Sequence, residues 1–535
     1  MNLSLVSPKY FSKNSKYFGF FSDGIENEIE STFLLRGDSR LSEQELEEIE
    51  LESLRVNNIL ISKFIEYKKE SNASFYFHQF FLNPLLIFVT QTFYYRLKQL
   101  YNFLEYYDHA EIEKIILLPI NCKFHRAKNT TESLVLLNED AFSSWINSYI
   151  FFSKLQHLNK HQLYFIEEPE NITKRVNNFE CIKIFSKKIL NYKNEYDREL
   201  FRIKKELKVE KKIERKKPSI SVEPNEDIDI IFEIFLKIAP ITYFETPVSF
   251  HCKFKSFNDS PVIFNGLKIY DDVYRSYISK KYSNGITIIG VQHGGHNYGT
   301  GKFVGFLINE LKFCDYFVSW GWDLNFATQT KSLSLQRPSR VFNKQECRSP
   351  NRIIWVGTHM NINPSRLDSN PQPSDFLKYR VNKLEAISFL NFEQNIYKIY
   401  YRPYFTNFEG LKDLEYFLAK IPNLSILYGE NLEKKLFEFK LIIIDHPGTL
   451  LNFAIANDIP ILCFWADDFF YFTDEALEIY DQFKKVNLLF NKIENLNNHL
   501  ANTNNINIWW KSAEVESVKN IFKYKYCNIR NNDID

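Results

Sequence analysis

Glycine is scarce in this chain, since 16 of its 535 residues are glycine and five of these lie between Gly290 and Gly301, in the sequence GVQHGGHNYGTG. The sequence contains no G-x-x-x-x-G-K-[ST] P-loop, no G-x-S-x-G nucleophile elbow and no G-x-G-x-x-G dinucleotide fingerprint. It therefore gives no sign of a P-loop NTPase, an α/β-hydrolase or a dinucleotide-binding enzyme of the usual kind.

Paired cysteines and an excess of one charge sign are also absent. The seven cysteines are widely spaced and form no C-x-x-C pair. This spacing excludes a zinc-ribbon or thioredoxin signal and favours reduced, mostly buried thiols in a reducing compartment. The 67 basic and 66 acidic residues give a net charge of +1, which argues against binding of nucleic acid over the whole surface. We therefore expect no nucleic-acid partner, and a local basic patch remains compatible with this balance.

Long hydrophobic runs are missing as well. The N-terminal residues lack the apolar segment and cleavage site of a secretory signal. The most apolar early stretch, Phe80 to Tyr95, is shorter than about 18 residues and contains Asn83 and Pro84. A buried helix is the favoured interpretation, and an interfacial helix on a membrane surface is the alternative. We predict a cytoplasmic protein that could contact the inner face of the cytoplasmic membrane peripherally.

The first part of the chain is predicted to be largely helical. Residues 41–54 hold six glutamates and predict an exposed helix, and residues 75–155 predict a helical block that contains a strand at residues 114–121. Residues 202–217 hold nine basic and three acidic side chains and predict a charged helix. This helix is interpreted as a solvated surface element, and a patch that faces anionic lipid headgroups or an anionic acceptor is the alternative.

After residue 230, short apolar runs alternate with amphipathic helical patterns. Strands are predicted at residues 286–290 and 314–322, and five further strand–helix pairs follow a polar linker at residues 335–351. This alternation is typical of parallel sheets covered by helices. We predict an α/β fold with two Rossmann-like, doubly wound domains that face a cleft, preceded by the helical block. The predicted divisions are 1–345, 346–510, and a C-terminal helix and tail at 511–535.

The glycine-rich loop is the strongest candidate site, because it follows a predicted strand directly. In open α/β sheets, ligands bind at the carboxyl ends of the strands. His293 could act as a general base or hydrogen-bond a phosphate, with a satisfied structural histidine as the alternative. Gly294 and Gly295 would let the backbone approach an anion closely. Lys302 is a further candidate for a phosphate contact.

Four more polar clusters follow predicted strands: SWGW at 319–322, VGTH at 356–359, YYRPYF at 400–405, and DHPGT at 445–449. Trp320 and Trp322 could pack the domain interface or stack on a base or sugar ring. Arg402 could bind a phosphate or form a surface ion pair. Thr449 begins a predicted helix whose free N–H groups could bind a diphosphate. The candidate binding residues are Gln292, Gly294, Gly295, Tyr298, Gly299, Trp320, Trp322, Gly357, Thr358, Arg402, Asp445, His446, Gly448 and Thr449.

None of these clusters has metal-ligand spacing. The Asp-x-Asp at Asp227 to Asp229 precedes an apolar run and is interpreted as a coincidence. We therefore predict a site that binds no metal.

The clusters, in this order, resemble the transferase family of O-antigen and other surface-polysaccharide loci. The resemblance rests on GVQHGGHNYGTG, CDYFVSWGWD and LIIIDHPGTLLNFAIANDIPILCFWADDFFYFTDEA, together with the early stretch FYFHQFFLNPLLIFVTQTFYYRLKQLYNFL, and covers roughly residues 75–490. That family is similar to two-domain glycosyltransferases of the GT-B type. The resemblance implies a nucleotide-sugar donor held mainly by the C-terminal domain and a glycan or lipid-linked glycan acceptor held mainly by the N-terminal one, with no separate cofactor.

Two departures from the pattern keep alternatives open. Many GT-B enzymes bind the donor ribose with a glutamate at the position of Phe453, and the first 60 residues show no clear opening strand. The leading prediction is a glycosyltransferase with His293 as its base. The alternatives are a polyol-phosphate transferase like the glycerophosphotransferases of wall teichoic acid, and a catalytically silent GT-B-like nucleotide-binding module.

Overall fold

The computed structural model describes residues 2–6, 16–17, 40–70, 75–106, 114–155, 162–166, 226–245, 261–266, 269–295, 297–323, 331–334, 351–358, 360–361, 363, 365–392, 397–404, 413–428, 432–503 and 505–528. The predicted charged helix at 202–217 lies outside the described residues, and so does the predicted linker at 335–351 apart from residue 351.

The helical block begins with two long helices, α1 (Glu43–Tyr67) and α2 (Phe75–Tyr106). Ser42 caps α1 and forms a capping box with Glu45, which satisfies backbone N–H groups at the helix start. Helix α2 is buried along most of its length, as the sequence predicted for its apolar stretch, and Pro84 lies inside it without ending it. The remaining helices of the block are α3 (Thr130–Asn138), α4 (Asp140–Ile150) with a π-helical turn at Phe151–Leu155, α5 (Glu226–Ile238) and α6 (Ile241–Glu245). The Asp-x-Asp motif lies in the first turn of α5, and its interpretation as a coincidence stays a prediction.

The described strands before residue 345 form two four-stranded parallel sheets, whereas the sequence predicted one doubly wound sheet in this part. The first sheet has the order β2 (Lys16–Tyr17), β1 (Asn2–Ser4), β3 (Lys114–Leu117) and β4 (Gln162–Phe165). The opening strand β1 is therefore present, although no clear strand pattern marks it in the sequence. The second sheet has the order β5 (Val262–Asn265), β6 (Ile288–Val291), β7 (Tyr316–Ser319) and β8 (Lys331–Ser334), with α7 (Asp272–Ser283) and α8 (Ile308–Leu311) between its strands.

The third sheet has six parallel strands in the order 3-2-1-4-5-6 relative to the chain, which is the order of the Rossmann fold. Its strands are β9 (Arg352–Val356), β10 (Lys398–Arg402), β11 (Ser425–Ile426), β12 (Leu441–Ile444), β13 (Ile461–Phe464) and β14 (Leu489–Phe490). Because the strand order reverses between the neighbours β9 and β12, their carboxyl ends flank the switch point where ligands bind in such sheets. Both of these ends carry predicted site residues.

The helices that follow the linker cover both faces of the third sheet. They are α9 (Phe376–Phe392), α10 (Asp413–Lys420), α11 (Leu432–Lys435), α12 (Thr449–Ala456), α13 (Asp474–Lys485), α14 (Ile493–Asn502), α15 (Ile506–Trp510) and α16 (Ala513–Cys527). Alternate side chains of β12 point to opposite faces, so that Ile442 and Ile444 lie in one hydrophobic cluster while Leu441 and Ile443 lie in another. The predicted α/β class, the parallel sheets and the N-terminal helical block are thus confirmed. The division of the chain into domains stays a prediction.

Two further observations concern membrane-spanning helices and cysteine thiols. No helix in the described part of the chain combines the length and apolarity needed to cross a bilayer. The four cysteines that the structure describes are buried free thiols, as the sequence predicted.

Beneath the switch point lies a buried group of charges. On α9, Lys383 is buried and forms ion pairs with Asp413 and Asp445, and Arg380 pairs with Asp413 at 3.0 Å. These partners are themselves buried. Removal of one partner from a buried ion pair leaves an uncompensated charge, whose cost exceeds that of an exposed pair.

Lys383→Met is therefore expected to lower the free energy of unfolding by about 3–5 kcal/mol, measured by urea denaturation. Lys378→Met is the matched control, since Lys378 lies on the same helix and its ion pair with Asp468 is exposed. The control is expected to cost less than about 1 kcal/mol. Equal losses in the two variants would contradict a structural role for the buried charges.

Candidate active site

The loop after β6 is held in place by the side chain of Gln292. Its Oε1 accepts hydrogen bonds from the backbone N–H of Trp320 at 2.7 Å and from the indole N–H of Trp322 at 2.8 Å, and its Nε2 donates to the carbonyl of Gly294 at 2.7 Å. Gln292 and both tryptophans are buried, and a buried amide is stable when its polar atoms are paired. The glutamine therefore ties the loop after β6 to the loop after β7. These three predicted binding residues contact one another and shape the site.

Two glycines of this loop allow contacts that a side chain would block. Gly299 has φ +75°, and a Cβ there would lie 2.7 Å from the ring of Trp322. At Gly295 a Cβ would lie 2.9 Å from the Cα and 3.0 Å from the nitrogen of Thr449. The glycines were predicted to let the backbone approach an anion. At Gly295 and Gly299 the close approach is instead to other parts of the protein.

The imidazole of His293 is largely enclosed, with 12% of its side chain exposed. Its Nδ1 lies 2.7 Å from the hydroxyl of Tyr298, whose ring meets the imidazole edge to face. Burial lowers the pKa of His293 to about 4, because a low-dielectric environment disfavours the charged form. The ring is therefore neutral at pH 7, and a neutral imidazole can accept a proton.

Glu310 is a site residue that the sequence analysis missed. It lies on α8 and is fully buried, and the hydroxyl of Tyr298 donates to its Oε2 at 2.9 Å. Its Oε1 lies 3.7 Å from Nδ1 of His293. Burial raises the pKa of this carboxyl to about 8, against the opposing effects of Tyr298 and the Gly266 backbone. A single glutamate within the apolar run FLINELKF gives no sequence signal of this role.

The start of α12 forms the other side of the site. Gly448 is the N-cap of this helix, and no side chain caps it. The hydroxyl of Thr449 accepts a hydrogen bond from the backbone N–H of Gly295 at 2.9 Å. The imidazole of His446 lies over Gly448, where a Cβ would come within 2.7 Å of the ring. The histidine loop and this helix start, which are more than 150 residues apart, are therefore in direct contact.

Asp445 anchors the loop between β12 and α12. The carboxylate is fully buried, and it accepts hydrogen bonds from the indole of Trp355 at 3.2 Å and the backbone N–H of Thr358 at 3.0 Å. Burial would raise its pKa, but the charge of Lys383 and hydrogen bonds from His446 and Trp355 hold the pKa at about 2. Asp445 is thus ionised and engaged with the protein, which gives it a positioning role for Thr358.

The remaining predicted residues join the same edge of the third sheet through the backbone. The N–H of Gly357 donates to the carbonyl of Arg402 at 3.0 Å, and the guanidinium of Arg402 donates to the carbonyl of Leu427 at 3.1 Å. A Cβ at Gly357 would meet the Tyr401 hydroxyl at 2.5 Å. All five polar clusters are therefore linked by hydrogen bonds, in the order SWGW, histidine loop, DHPGT, VGTH and YYRPYF.

Two other residues singled out in the sequence are Lys302, a candidate phosphate contact, and Phe453, which occupies the position of a ribose-binding glutamate in many GT-B enzymes. Lys302 forms ion pairs with Glu43 and Glu47 of α1. Phe453 is buried in the hydrophobic cluster that spans the second and third sheets. Lys302 is thus engaged in docking α1, and Phe453 serves as a core residue.

Among the residues that the structure describes, no three His, Cys, Asp or Glu side chains cluster in a way that could hold a metal ion. The metal independence expected from the sequence stays a prediction.

A family model of LIC12162 family transferases matches residues 58–535 of the chain. The chain belongs to this transferase family. No curated protein matches it significantly. The family assignment confirms the predicted transferase class, while the link to O-antigen loci stays a prediction.

Several solved structures are similar to part of this LIC12162 family member. S. aureus TarM aligns with 50% of the chain and 53% of its own length, at 13% identity and a TM-score of 0.32. A protein described as a UDP-N-acetylglucosamine 2-epimerase from Listeria monocytogenes aligns with 55% of the chain and 83% of its own length, at 12% identity and a TM-score of 0.31. S. aureus MnaA, solved with UDP, aligns with 50% of the chain and 74% of its own length, at 12% identity and a TM-score of 0.30. The chain thus spans about half the length of TarM.

Gly295→Ala is expected to lower the stability of this transferase by about 1–3 kcal/mol, because the new Cβ would press on the backbone of Thr449. Gly294→Ala is the matched control, since its Cβ would meet Thr449 Oγ1 at an ordinary 3.4 Å. The measurement is urea denaturation of both variants beside the wild type. If Gly294→Ala costs as much as Gly295→Ala, the close approach of loop and helix does not hold.

The buried imidazole also makes stability depend on pH. The pKa of His293 falls from about 6.5 in the unfolded chain to about 4 in the fold. The free energy of unfolding therefore decreases as the pH drops from 6.5 towards 4, because over this range the unfolded chain binds a proton at this histidine and the folded chain does not. The stability advantage of the wild type over His293→Gln is expected to shrink by roughly 2–3 kcal/mol between pH 7 and pH 4, measured by urea denaturation. His499, whose pKa burial also lowers to about 4, titrates in both proteins and cancels. A constant difference would contradict the burial of His293.

Proposed function

We propose that this LIC12162 family transferase is a glycosyltransferase, which moves a sugar from a nucleotide-sugar donor to the glycan or lipid-linked glycan precursor of a surface polysaccharide such as an O-antigen or a capsule. The observation that carries the proposal is the contact between Gly295 and Thr449. It brings a buried neutral imidazole and a helix N-terminus to the same edge of two parallel sheets. Sugar transfer needs this combination, because a base must meet the acceptor hydroxyl while the leaving diphosphate is stabilised.

In this proposal His293 is the general base. Because the imidazole is neutral at pH 7, an unprotonated ring nitrogen can take the proton of an acceptor hydroxyl as that oxygen attacks the anomeric carbon. General-base catalysis typically contributes about 10²–10⁴-fold in rate. The two short hydrogen bonds of Tyr298, to His293 and to Glu310, hold the ring in one orientation.

The donor diphosphate would be held by Gly448, Thr449 and Arg402. The N–H groups in the first turn of α12 carry partial positive charge, and Gly448 leaves them without a side-chain cap. Arg402 extends from the end of β10, two strands from β12 across β9. The planar guanidinium can donate two parallel hydrogen bonds to the oxygens of one phosphate group. With these groups the charge of the diphosphate could be stabilised by the protein alone, and no further cofactor is proposed.

Polyol-phosphate transfer is the first alternative, and the same base and diphosphate-binding residues would take part in it. It would use a donor such as CDP-glycerol, whose diphosphate suits the same helix start. A catalytically silent nucleotide-binding module is the second alternative, and the burial of Phe453 favours it, because a phenylalanine in the core offers the donor ribose no carboxylate. We further propose a cytoplasmic location with peripheral contact with the inner face of the membrane.

The test is a panel of UDP-, dTDP-, GDP- and CMP-sugars together with CDP-glycerol, assayed for binding by calorimetry and for turnover with glycan acceptors. One nucleotide sugar is expected to bind and to be consumed. His293→Ala is expected to lower turnover by about 100-fold or more while donor affinity changes little, since the base acts on the acceptor. Thr449→Ala is expected to weaken donor binding.

Lys302→Ala is the matched control, since it removes a cation from the same loop that is paired with α1 rather than assigned to the donor. It is expected to leave turnover unchanged. Consumption of CDP-glycerol in place of a nucleotide sugar would establish the first alternative. Binding without turnover of any donor would establish the second, and unchanged turnover in His293→Ala would disprove the assigned base.

A further inference from the structure

We propose that Glu310 is a positioning residue that acts through Tyr298 and sets which imidazole nitrogen of His293 carries the proton. The role of His293 as a base rests on the proposed function. The control of its tautomer by Glu310 does not, because it follows from hydrogen bonds within the protein.

The geometry is a chain of three groups with one hydroxyl at its centre. The hydroxyl of Tyr298 lies 2.7 Å from Nδ1 of His293 and 2.9 Å from Oε2 of Glu310. Both distances are hydrogen-bond distances. A phenol hydroxyl has one proton to donate, so it donates to one neighbour and accepts from the other.

The proton count gives two states of the chain. When Glu310 is ionised it can only accept, so Tyr298 donates to it and Nδ1–H of His293 donates to the tyrosine oxygen. Nε2 then carries the lone pair and can act as a base. When Glu310 is protonated its O–H donates to the tyrosine oxygen, Tyr298 donates to Nδ1, and the imidazole proton lies on Nε2. In that state Nε2 cannot accept a proton, so the form of His293 that would serve as the base is the minor one at pH 7 and the major one above about pH 8.

The carboxyl group of Glu310 packs against the backbone of Gly266 and places Oε2 beside Tyr298. A Cβ at Gly266 would overlap Oε1 and lie 2.8 Å from Oε2, so the carboxyl group lies directly against this backbone. The Gly266 amide lowers the pKa of the carboxyl, as a donor to it would. Oε2 is the oxygen that lies 2.9 Å from the hydroxyl of Tyr298, so a proton on Oε2 is the one that can be donated to Tyr298.

The helical block supports the carboxylate from behind. Glu310 follows Asn309, which is buried and hydrogen-bonded to Asn83 of α2. Asn83 contacts Asn57 of α1 in turn. This buried amide chain connects the short helix α8 to the two long helices.

The electrostatic surroundings favour a neutral pair. Burial raises the pKa of Glu310 to about 8 and lowers that of His293 to about 4, so the imidazole is neutral while the carboxyl changes state near pH 8. The pKa of Tyr270 is raised by burial and by the charge of Glu310, and the charges of Arg366, Asp368 and Arg275 also act on it. Arg366 and Asp368 pair with each other at 2.5 Å, which limits their net field at Glu310.

The test is ¹⁵N NMR of the full-length protein with labelled histidine, since the protonated and unprotonated imidazole nitrogens give well-separated signals. The wild type is expected to shift from the Nε2–H form to the Nδ1–H form as the pH rises through about 8. Glu310→Gln is expected to lock the Nε2–H form at every pH between 6 and about 9, because the amide NH₂ group can donate to Tyr298 as the protonated acid does and cannot ionise. Tyr298→Phe is expected to abolish the transition.

The matched control is Glu50→Gln. Glu50 is another buried glutamate with a raised pKa, of about 7, and it accepts from the backbone N–H of Val304 instead of Tyr298. It is expected to leave the transition of His293 at its wild-type pH. An unchanged tautomer transition in Glu310→Gln, in protein that melts as cooperatively as the wild type, would overturn the proposal.

Activity gives a second readout that separates this proposal from the proposed function. If His293 is the base, Glu310→Gln is expected to lower kcat about tenfold or more at pH 9, where Glu310 of the wild type is ionised, with little change in KM. Glu310→Asp is expected to restore part of the loss. A tautomer that follows Glu310 in a protein that consumes no nucleotide sugar would uphold the chain and reject the glycosyltransferase. Loss of activity in Glu310→Gln without a change of tautomer would reject the chain.

Discussion

The contact between the amide of Gly295 and the hydroxyl of Thr449 joins the strand ends of the second and third sheets. A single hydrogen bond contributes about 1 kcal/mol net, which is too little to hold two sheets together alone. Its importance is geometric. His293 precedes Gly295 by two residues and Gly448 precedes Thr449 by one, so the contact fixes the distance between the imidazole and the helix start. The absence of a side chain at 295 is what permits it.

The C-terminal helix α16 holds both sides of this contact in place. The amide of Asn452 on α12 donates to the carbonyl of Tyr526 at 2.8 Å. On the other side, Gly321 has φ +114° and lies so close to α16 that a Cβ would come within 2.7 Å of the carbonyl of Tyr524. The tryptophan loop and α12 therefore rest on the same helix. Below them, Asp445 fixes the third sheet through Trp355 and Thr358, and Lys383 compensates its charge. The two walls of the site therefore share the same supports.

The sequence predicted the periodic parts of this structure well, because apolar alternation follows directly from which faces are buried. The strands of the third sheet and the helices between them match the predicted alternation, and the position of each polar cluster at a strand end follows from it. The two separate sheets before residue 345 could not be predicted in the same way, since strands such as Asn2–Ser4 are too short to show a pattern. The grouping of Gln292 with Trp320 and Trp322 follows from tertiary contacts, although the three residues were all identified as site candidates. Glu310 was missed because its partner is reached through Tyr298, and neither residue occurs in a motif that marks the pair.

The interposed tyrosine explains how a buried histidine can lie beside a buried glutamate and remain neutral. A direct ion pair between them would favour the charged imidazole, and burial of such a pair in an apolar region is costly. Here Glu310 Oε1 lies 3.7 Å from Nδ1, while Tyr298 makes the shorter contact to each group. The hydroxyl satisfies both partners without a net charge on the ring, and the desolvation that lowers the pKa of His293 is left largely unopposed. In the proposed reaction, charge develops only as the proton leaves the acceptor. Fixed dipoles such as the start of α12 act most strongly on such charge when the surroundings have a low dielectric constant.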